Sequence, residues 1–284
     1  MKNIPIIVMI FAFAAFTGVA ITGCKDSAKK ADDVPDDVGS GKKVPGKGSA
    51  SPLEELKADV GASIAGSVKY KGSPPAMEDD DRIAKSSDKA TCLAGGGVHV
   101  KKQTWIINAD KTVQNVLVFL APPKGKKFAT STSPQTNKII ADQPFCNFAP
   151  HVIAVQSDLT PIVFKNSSSI SHNVAIAIPG GDPINRTLGP KTESDEYKFK
   201  GKAGQLLDMT CSAHNWMVGK ISVFEHPYFA VTDDKGNFEI KNAPVGVDLV
   251  LHYWHESFGG IGDKKGLAAK SYQKGDNKIE IELP

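Results

Sequence analysis

The sequence predicts an all-β protein built from two β-sandwiches. Two observations carry that reading. Short runs rich in Val, Ile, Leu and Phe recur along the chain, each bounded by Gly, Pro, Asn or Ser, which is the punctuation of strands. No long stretch carries helical periodicity and no repeat of fixed period is present, so packed sheets remain as the way to bury a core. The 284 residues suit two ordinary domains. With 40% hydrophobic and 23% charged residues, a globular body is expected.

The chain opens with "MKNIPIIVMIFAFAAFTGVAITGC". One early Lys, an apolar run from Ile4 to about Ile21 and a small-residue ending are the parts of an export signal. Ile21-Thr22-Gly23-Cys24 resembles the bacterial lipobox. That resemblance implies a signal peptide over 1–23, with Cys24 lipidated as the mature N-terminus. Acyl chains would anchor the protein to a membrane without spanning it. A transmembrane anchor is the alternative, since about 18 apolar residues just suffice to cross a bilayer. In either case the body is expected outside the cytoplasm, in the periplasm or on the cell surface, where disulfides persist.

Residues 24–63 read as a flexible tether with one short helix. Lys25–Ala50 is Lys, Asp, Gly, Pro and Ser with almost nothing apolar. It cannot bury a core, and its r.m.s. reach is on the order of 30 Å. In "SPLEELKADVG", Ser51 suits an N-cap, Pro52 the first helical position, Glu54 the capping box and Gly61 the stop. Strands are expected over 66–72, 113–120, 160–166, 172–178, 196–201, 205–210, 219–224, 236–242 and 247–254.

The stretch "DMTCSAHNWMVGKISVF" holds Cys211, His214 and Met217 at one interval, just before an alternating strand. Thiolate, thioether and imidazole are soft-metal ligands, and two His, one Cys and a weak axial Met form the blue-copper set. His172, at the start of another strand in "SHNVAIAI", supplies the second imidazole. The bland alternative treats Cys211 and Met217 as ordinary core residues. Zinc in a Cys/His site is a further one.

"SHNVAI" with "CSAHNWMVGKISV" resembles the cupredoxins, most closely amicyanin in the short Cys-x-x-His-x-x-Met loop. The resemblance covers about 139–226 and implies a Greek-key sandwich holding one type 1 copper. It implies His172, Cys211 and His214 as equatorial ligands and Met217 as the axial one. It also implies that Asn173 ties the ligand loops together. Trp216, inside the loop, is read as packing near the metal. By the same resemblance, His214 would lie nearest the surface as the electron's exit, with Asn215 and Trp216 beside it for docking.

One-electron transfer between redox partner proteins is the function this implies. A copper-storage or interaction module without electron transfer is the rival. A copper enzyme is not expected. The sequence has no His-x-His pair for a trinuclear cluster, and the ligand loop has no second Cys for a binuclear one. The net charge of +3, without a basic patch interleaved with aromatics, gives no sign of nucleic-acid binding.

Cys92 and Cys146 remain, and in an exported protein a disulfide between them is expected. The competing reading is a metal site with His99 and His151. His252 and His255 would point to opposite faces of a strand, so structural roles are expected for both. His226 reads as linker.

"VTDDKGNFEIKNAPVG" resembles the carboxypeptidase-regulatory-like, or transthyretin-like, sandwich in its Thr-Asp-x-x-Gly-x-Phe-x-Ile and Pro-x-Gly. "AGSVKYKGSPP" fits the start of such a module. The resemblance implies a second sandwich made from 64–135 and 227–284, with the first inserted between. A separate C-terminal subdomain is the alternative. The whole arrangement resembles a bacterial family labelled methylamine-utilisation-like.

Overall fold

The computed structural model describes residues 53–129, 138–201, 204–259 and 266–284. The expected export signal, Cys24, most of the tether and the Ser51–Pro52 helix start lie outside them. Among the described residues no helix is long and apolar enough to cross a membrane. The strands in chain order are β1 (Glu54–Glu55), β2 (Val60–Tyr70), β3 (Leu117–Ala121), β4 (Lys126–Lys127), β5 (Ile139–Asp142) and β6 (Val152–Gln156). Next come β7 (Pro161–Asn166), β8 (His172–Ile176), β9 (Ile184–Leu188), β10 (Thr192–Glu193), β11 (Tyr197–Lys198) and β12 (Gln205–Thr210). The chain ends with β13 (Val218–Phe224), β14 (Phe229–Val231), β15 (Asn237–Pro244), β16 (Asp248–Trp254), β17 (Lys270–Ser271) and β18 (Gly275–Leu283). Two short helices, α1 (Asp81–Ala84) and α2 (Lys89–Leu93), and a 3₁₀ turn at Gly97–Val100 precede β3.

The expected all-β class is what the structure has. The first sandwich pairs β6-β13-β12-β8-β9 in one sheet, facing a second sheet of β10-β7-β11 with β5 also on β7. Alternation explains how they pack. Leu207 and Met209 of β12, Ile221 and Val223 of β13, and Val174 and Ile176 of β8 turn inward. They meet Ala141 of β5 with Ile162 and Phe164 of β7.

The second group of strands forms sheets β14-β3-β16-β17 and β15-β2-β18. Strand β2 lies between β15, antiparallel, and β18, parallel. Segments on both sides of the first sandwich therefore share one core. It contains Ile64 and Val68 of β2, Val118 and Leu120 of β3, Phe238 and Ile240 of β15, and Ile281 and Leu283 of β18.

Two expectations about the N-terminal half are corrected. No helix forms over 53–61. Glu54 and Glu55 pair in parallel with Lys126 and Lys127, and Lys126 Nζ lies 2.7 Å from a Glu54 carboxylate oxygen. The Leu56 amide donates to the Lys127 carbonyl at 2.8 Å, and Leu56 packs against the second core. Capping signals worth about 1 kcal/mol yield to sheet pairing and burial.

The second correction concerns 81–100, expected within the second sandwich. Ile83 and Cys92 belong instead to the first core. This segment forms a cap over one end of the first sandwich. A disulfide between Cys92 and Cys146 staples it there.

Candidate metal centre

The site forms where β12 gives way to β13. β12 ends at Thr210, and residues 211–217 make a tight loop before Val218 begins the next strand. Two backbone hydrogen bonds close it: the Cys211 amide to the Met217 carbonyl at 3.3 Å, and the Met217 amide to the His214 carbonyl at 2.9 Å. His172 opens β8, and Thr210 pairs with Ala175 of that strand. The two segments thus bring His172, Cys211 and His214 to one end of the sandwich.

There the donor atoms converge. His172 Nδ1 lies 3.0 Å from His214 Nδ1, and Cys211 Sγ lies 3.8 Å from His214 Nδ1. One ligand atom from each of the three residues falls within 4.8 Å of the others. All three are buried, at 1%, 2% and 1% exposure for His172, Cys211 and His214. Among the described residues Cys211 is a free cysteine.

The surroundings favour thiolate. Burial opposes ionisation of Cys211, but hydrogen bonds from His172, His214 and the Asn173 amide outweigh it and bring the thiol down to about 5. The Cys211 sulfur is the main cause that raises the His214 imidazole, burial opposes it, and Asp88 adds to the rise. The Asn173 amide stands 3.4 Å from Cys211 Sγ. The side chain of Asn173 bridges the loops: its Oδ1 accepts from the Ser212 amide, and its Nδ2 donates to Asn185 Oδ1 at 2.7 Å. Gln143 Nε2 donates to the Asn173 carbonyl at 3.1 Å.

Met217 is buried in the first core beside this set. Trp216 packs against the same core, with its ring 5.0 Å from that of His214. Its Nε1 donates to the Cys146 carbonyl at 3.0 Å.

The three converging residues fit one soft metal ion. Metal–sulfur bonds near 2.3 Å and metal–nitrogen bonds near 2.0 Å require ligand atoms within about 4.5 Å of one another. Two imidazole Nδ1 atoms facing each other at 3.0 Å repel if both carry lone pairs. A cation or a shared proton between them removes that repulsion.

One expectation about His214 is corrected. It does not lie at the surface: it is buried, and the segment carrying Asp88 and Arg82 covers it. Its Nε2 lies 3.1 Å from Asp88 Oδ2, and Arg82 Nη1 donates to the Asn215 carbonyl at 3.2 Å. Asn215 itself is exposed and Trp216 half-buried. Asp88 escaped sequence reasoning because it lies 126 positions from His214. Its one available signal was its nearness to Cys92.

Of the other residues named from the sequence, Cys92 and Cys146 lie beside this set, with both sulfurs within 4.8 Å of a His214 ring nitrogen. Cys92 and Cys146 are joined, so neither offers a thiolate for a site with His99 and His151. His99 Nδ1 meets Asn147 Oδ1 at 3.2 Å, and His151 Nε2 meets Glu256 Oε2 at 2.7 Å. His252 stacks on Phe119, and His255 lies against Trp105 and Phe258. His226 sits buried among Phe128, Phe224 and Tyr228.

No family model and no curated protein matches the chain. Part of it is similar to solved copper proteins. A Cu-containing nitrite reductase from Thermus scotoductus SA-01 is 18% identical over 34% of this chain, with a TM-score of 0.29. The chain spans only 25% of that protein's length. A purple cupredoxin from Nitrosopumilus maritimus is 22% identical over 30% of this chain and 97% of its own, with a TM-score of 0.24. Amicyanin from Paracoccus versutus is 18% identical over 37% of this chain and 96% of its own, with a TM-score of 0.27.

Proposed function

We propose that this protein is a one-electron carrier holding a single type 1 copper in a cupredoxin sandwich. The observation that carries this reading is the buried convergence of Cys211 Sγ with the Nδ1 atoms of His172 and His214. Met217 would be the weak axial ligand. Copper in such a set supplies a reversible Cu(II)/Cu(I) couple. The chain's part is to hold the ligands rigid, so that little rearrangement accompanies electron transfer. Asn173 does this by bridging the two ligand loops, and the closed 211–217 loop fixes the angle between Cys211 and His214. Burial keeps water from the sulfur.

The proposal extends to the rest of the chain. Cys24 would carry the lipid that tethers an exported body to its membrane. The split second sandwich would be carboxypeptidase-regulatory-like and act as a spacer. No catalytic role is proposed, since Met217 would take the fourth ligand position beside His172, Cys211 and His214.

The test is the visible spectrum of purified protein given Cu(II). The reading expects an intense thiolate-to-copper charge-transfer band that reduction bleaches reversibly and that Cys211→Ser removes. A folded protein with copper available and no such band would overturn the type 1 assignment. Loss of the metal on reduction would instead favour copper storage.

A further inference from the structure

Among the described residues, the Asp88 carboxylate reaches the candidate metal set, and its position just before α2 is unusual. It stands at the N-cap of that helix yet makes no side-chain capping hydrogen bond. N-cap aspartates ordinarily spend the carboxylate on the first free amides. Here only its backbone serves the helix, accepting from the amides of Thr91 and Cys92 at 3.0 and 3.1 Å. Its Oδ2 lies instead 3.1 Å from His214 Nε2.

Several contacts fix it there. The disulfide ties Cys92, four residues on, to Cys146. The Cys146 carbonyl in turn receives the Trp216 indole from the ligand loop. Ile83 anchors the start of the cap in the first core. Arg82 holds Asp80 in a 2.6 Å ion pair and reaches the Asn215 carbonyl.

From this geometry we infer that Asp88 is a positioning residue for ligand His214, delivered from outside the sandwich by a disulfide-stapled cap. The inference rests on the copper reading for its effect on the metal, though not for its effect on the imidazole. An imidazole that donates Nε2–H to a carboxylate keeps its lone pair on Nδ1 and cannot swing freely. His214 Nδ1 is the atom that faces Cys211 and His172. The same contact places a negative charge one ring away from the metal, where it stabilises the more positive oxidation state. The cap also closes the ring edge of His214, so electrons must cross the cap or leave by another face.

The experiment uses the full chain with Asp88→Asn, Asp88→Ala and Asp88→Glu. The Asp88 side chain is 43% exposed, so these variants should fold, and circular dichroism checks that. In metal-free protein at alkaline pH, where the imidazole is neutral, ¹⁵N NMR should place the single His214 proton on Nε2 in the wild type. Asp88→Ala should give a mixture of tautomers, and Asp88→Glu should restore the single form. In copper-loaded protein, Asp88→Asn and Asp88→Ala should raise the reduction potential and weaken metal binding by about 10–100-fold. Asp88→Glu should recover most of both. Replacing Cys92 and Cys146 together by Ser should shift the potential in the same direction, because the cap then no longer holds Asp88.

An unchanged tautomer with an unchanged potential in Asp88→Ala would overturn the inference. A changed tautomer in a protein that never shows the charge-transfer band would sink the copper reading and leave the positioning role standing.

Discussion

Asn173 shows how one side chain can decide whether the site holds its shape. Its Oδ1 accepts from the Ser212 amide and its Nδ2 donates to Asn185, so it joins the loop after β12 to β8 and β9. Asn173→Ala leaves a loop amide without a partner, which costs about 1–3 kcal/mol. Urea denaturation should show that loss, and on the proposed copper reading the Cys211 charge-transfer band of copper-loaded protein should broaden as the loop loosens. An unchanged midpoint and band would mean that the closed loop holds itself. Away from the site, two buried imidazoles set an acid limit. Burial holds His226 down at about 4 from an ordinary 6.5. Burial is also the main cause for His255, which Glu256 opposes and His151 reinforces, again giving about 4. Both stay neutral when folded but take up a proton near pH 6.5 when unfolded. The unfolded state therefore binds more protons between pH 6.5 and 4, and stability falls as pH drops through that window. Each contributes on the order of 3 kcal/mol above it. Thermal unfolding at pH 7 and 4.5 should show the drop, and His226→Phe with His255→Phe should flatten it. At this scale the sequence makes the three-residue spacing of Cys211, His214 and Met217 plain, because all sit in one loop. It conceals Asp88, because no spacing links the residue that precedes α2 to a loop after β12.

At the scale of elements, β2 is tightly constrained. It is flanked on both sides, and a Cβ added at Gly66 would lie 1.8 Å from the Ile279 carbonyl oxygen of β18. Backbone cannot yield as a flexible side chain does. Gly66→Ala should therefore destabilise the protein by at least about 1–3 kcal/mol and raise hydrogen exchange along β18. Wild-type exchange in that strand would mean the sheet absorbs the methyl by a shift that the structure does not suggest. The strands easiest to read from sequence are those with one wet face. In β15, Phe238 and Ile240 face the core while Glu239 and Lys241 face out. β6 gives no such alternation because both its faces are buried. Ile153 and Val155 enter the first core, while Val152 and Ala154 enter a third apolar cluster. The expected helix fails over 53–61 for the opposite reason. Its capping pattern is local, but Glu54 and Leu56 take their partners from residues 125–127.

That third cluster joins the two sandwiches. Val152 and Ala154 of β6 and Phe224 at the end of β13 come from the first; Leu117 of β3 and Trp254 of β16 come from the second. Phe224 is 1% exposed, with its ring 5.2 Å from Phe119 and stacked 4.8 Å from Phe229. Beside it runs a polar seam in which Glu256 meets His151 at 2.7 Å and Lys220 at 3.3 Å. Chain connectivity reinforces the junction, because the second sandwich is assembled from segments before and after the first. Such a joint should make the two cores unfold together. Phe224→Ala removes an aromatic ring from its centre, at a cost of about 3–5 kcal/mol. Neither core loses a side chain of its own. Calorimetry should accordingly show one transition in the wild type and two in Phe224→Ala. Met209→Ala, which empties space in the first core, is the control: it should lower the melting temperature while keeping a single transition. If Phe224→Ala also melts in one step, the sandwiches are coupled mainly through the shared chain and the His151–Glu256–Lys220 seam. Glu256→Ala should then be the variant that separates them.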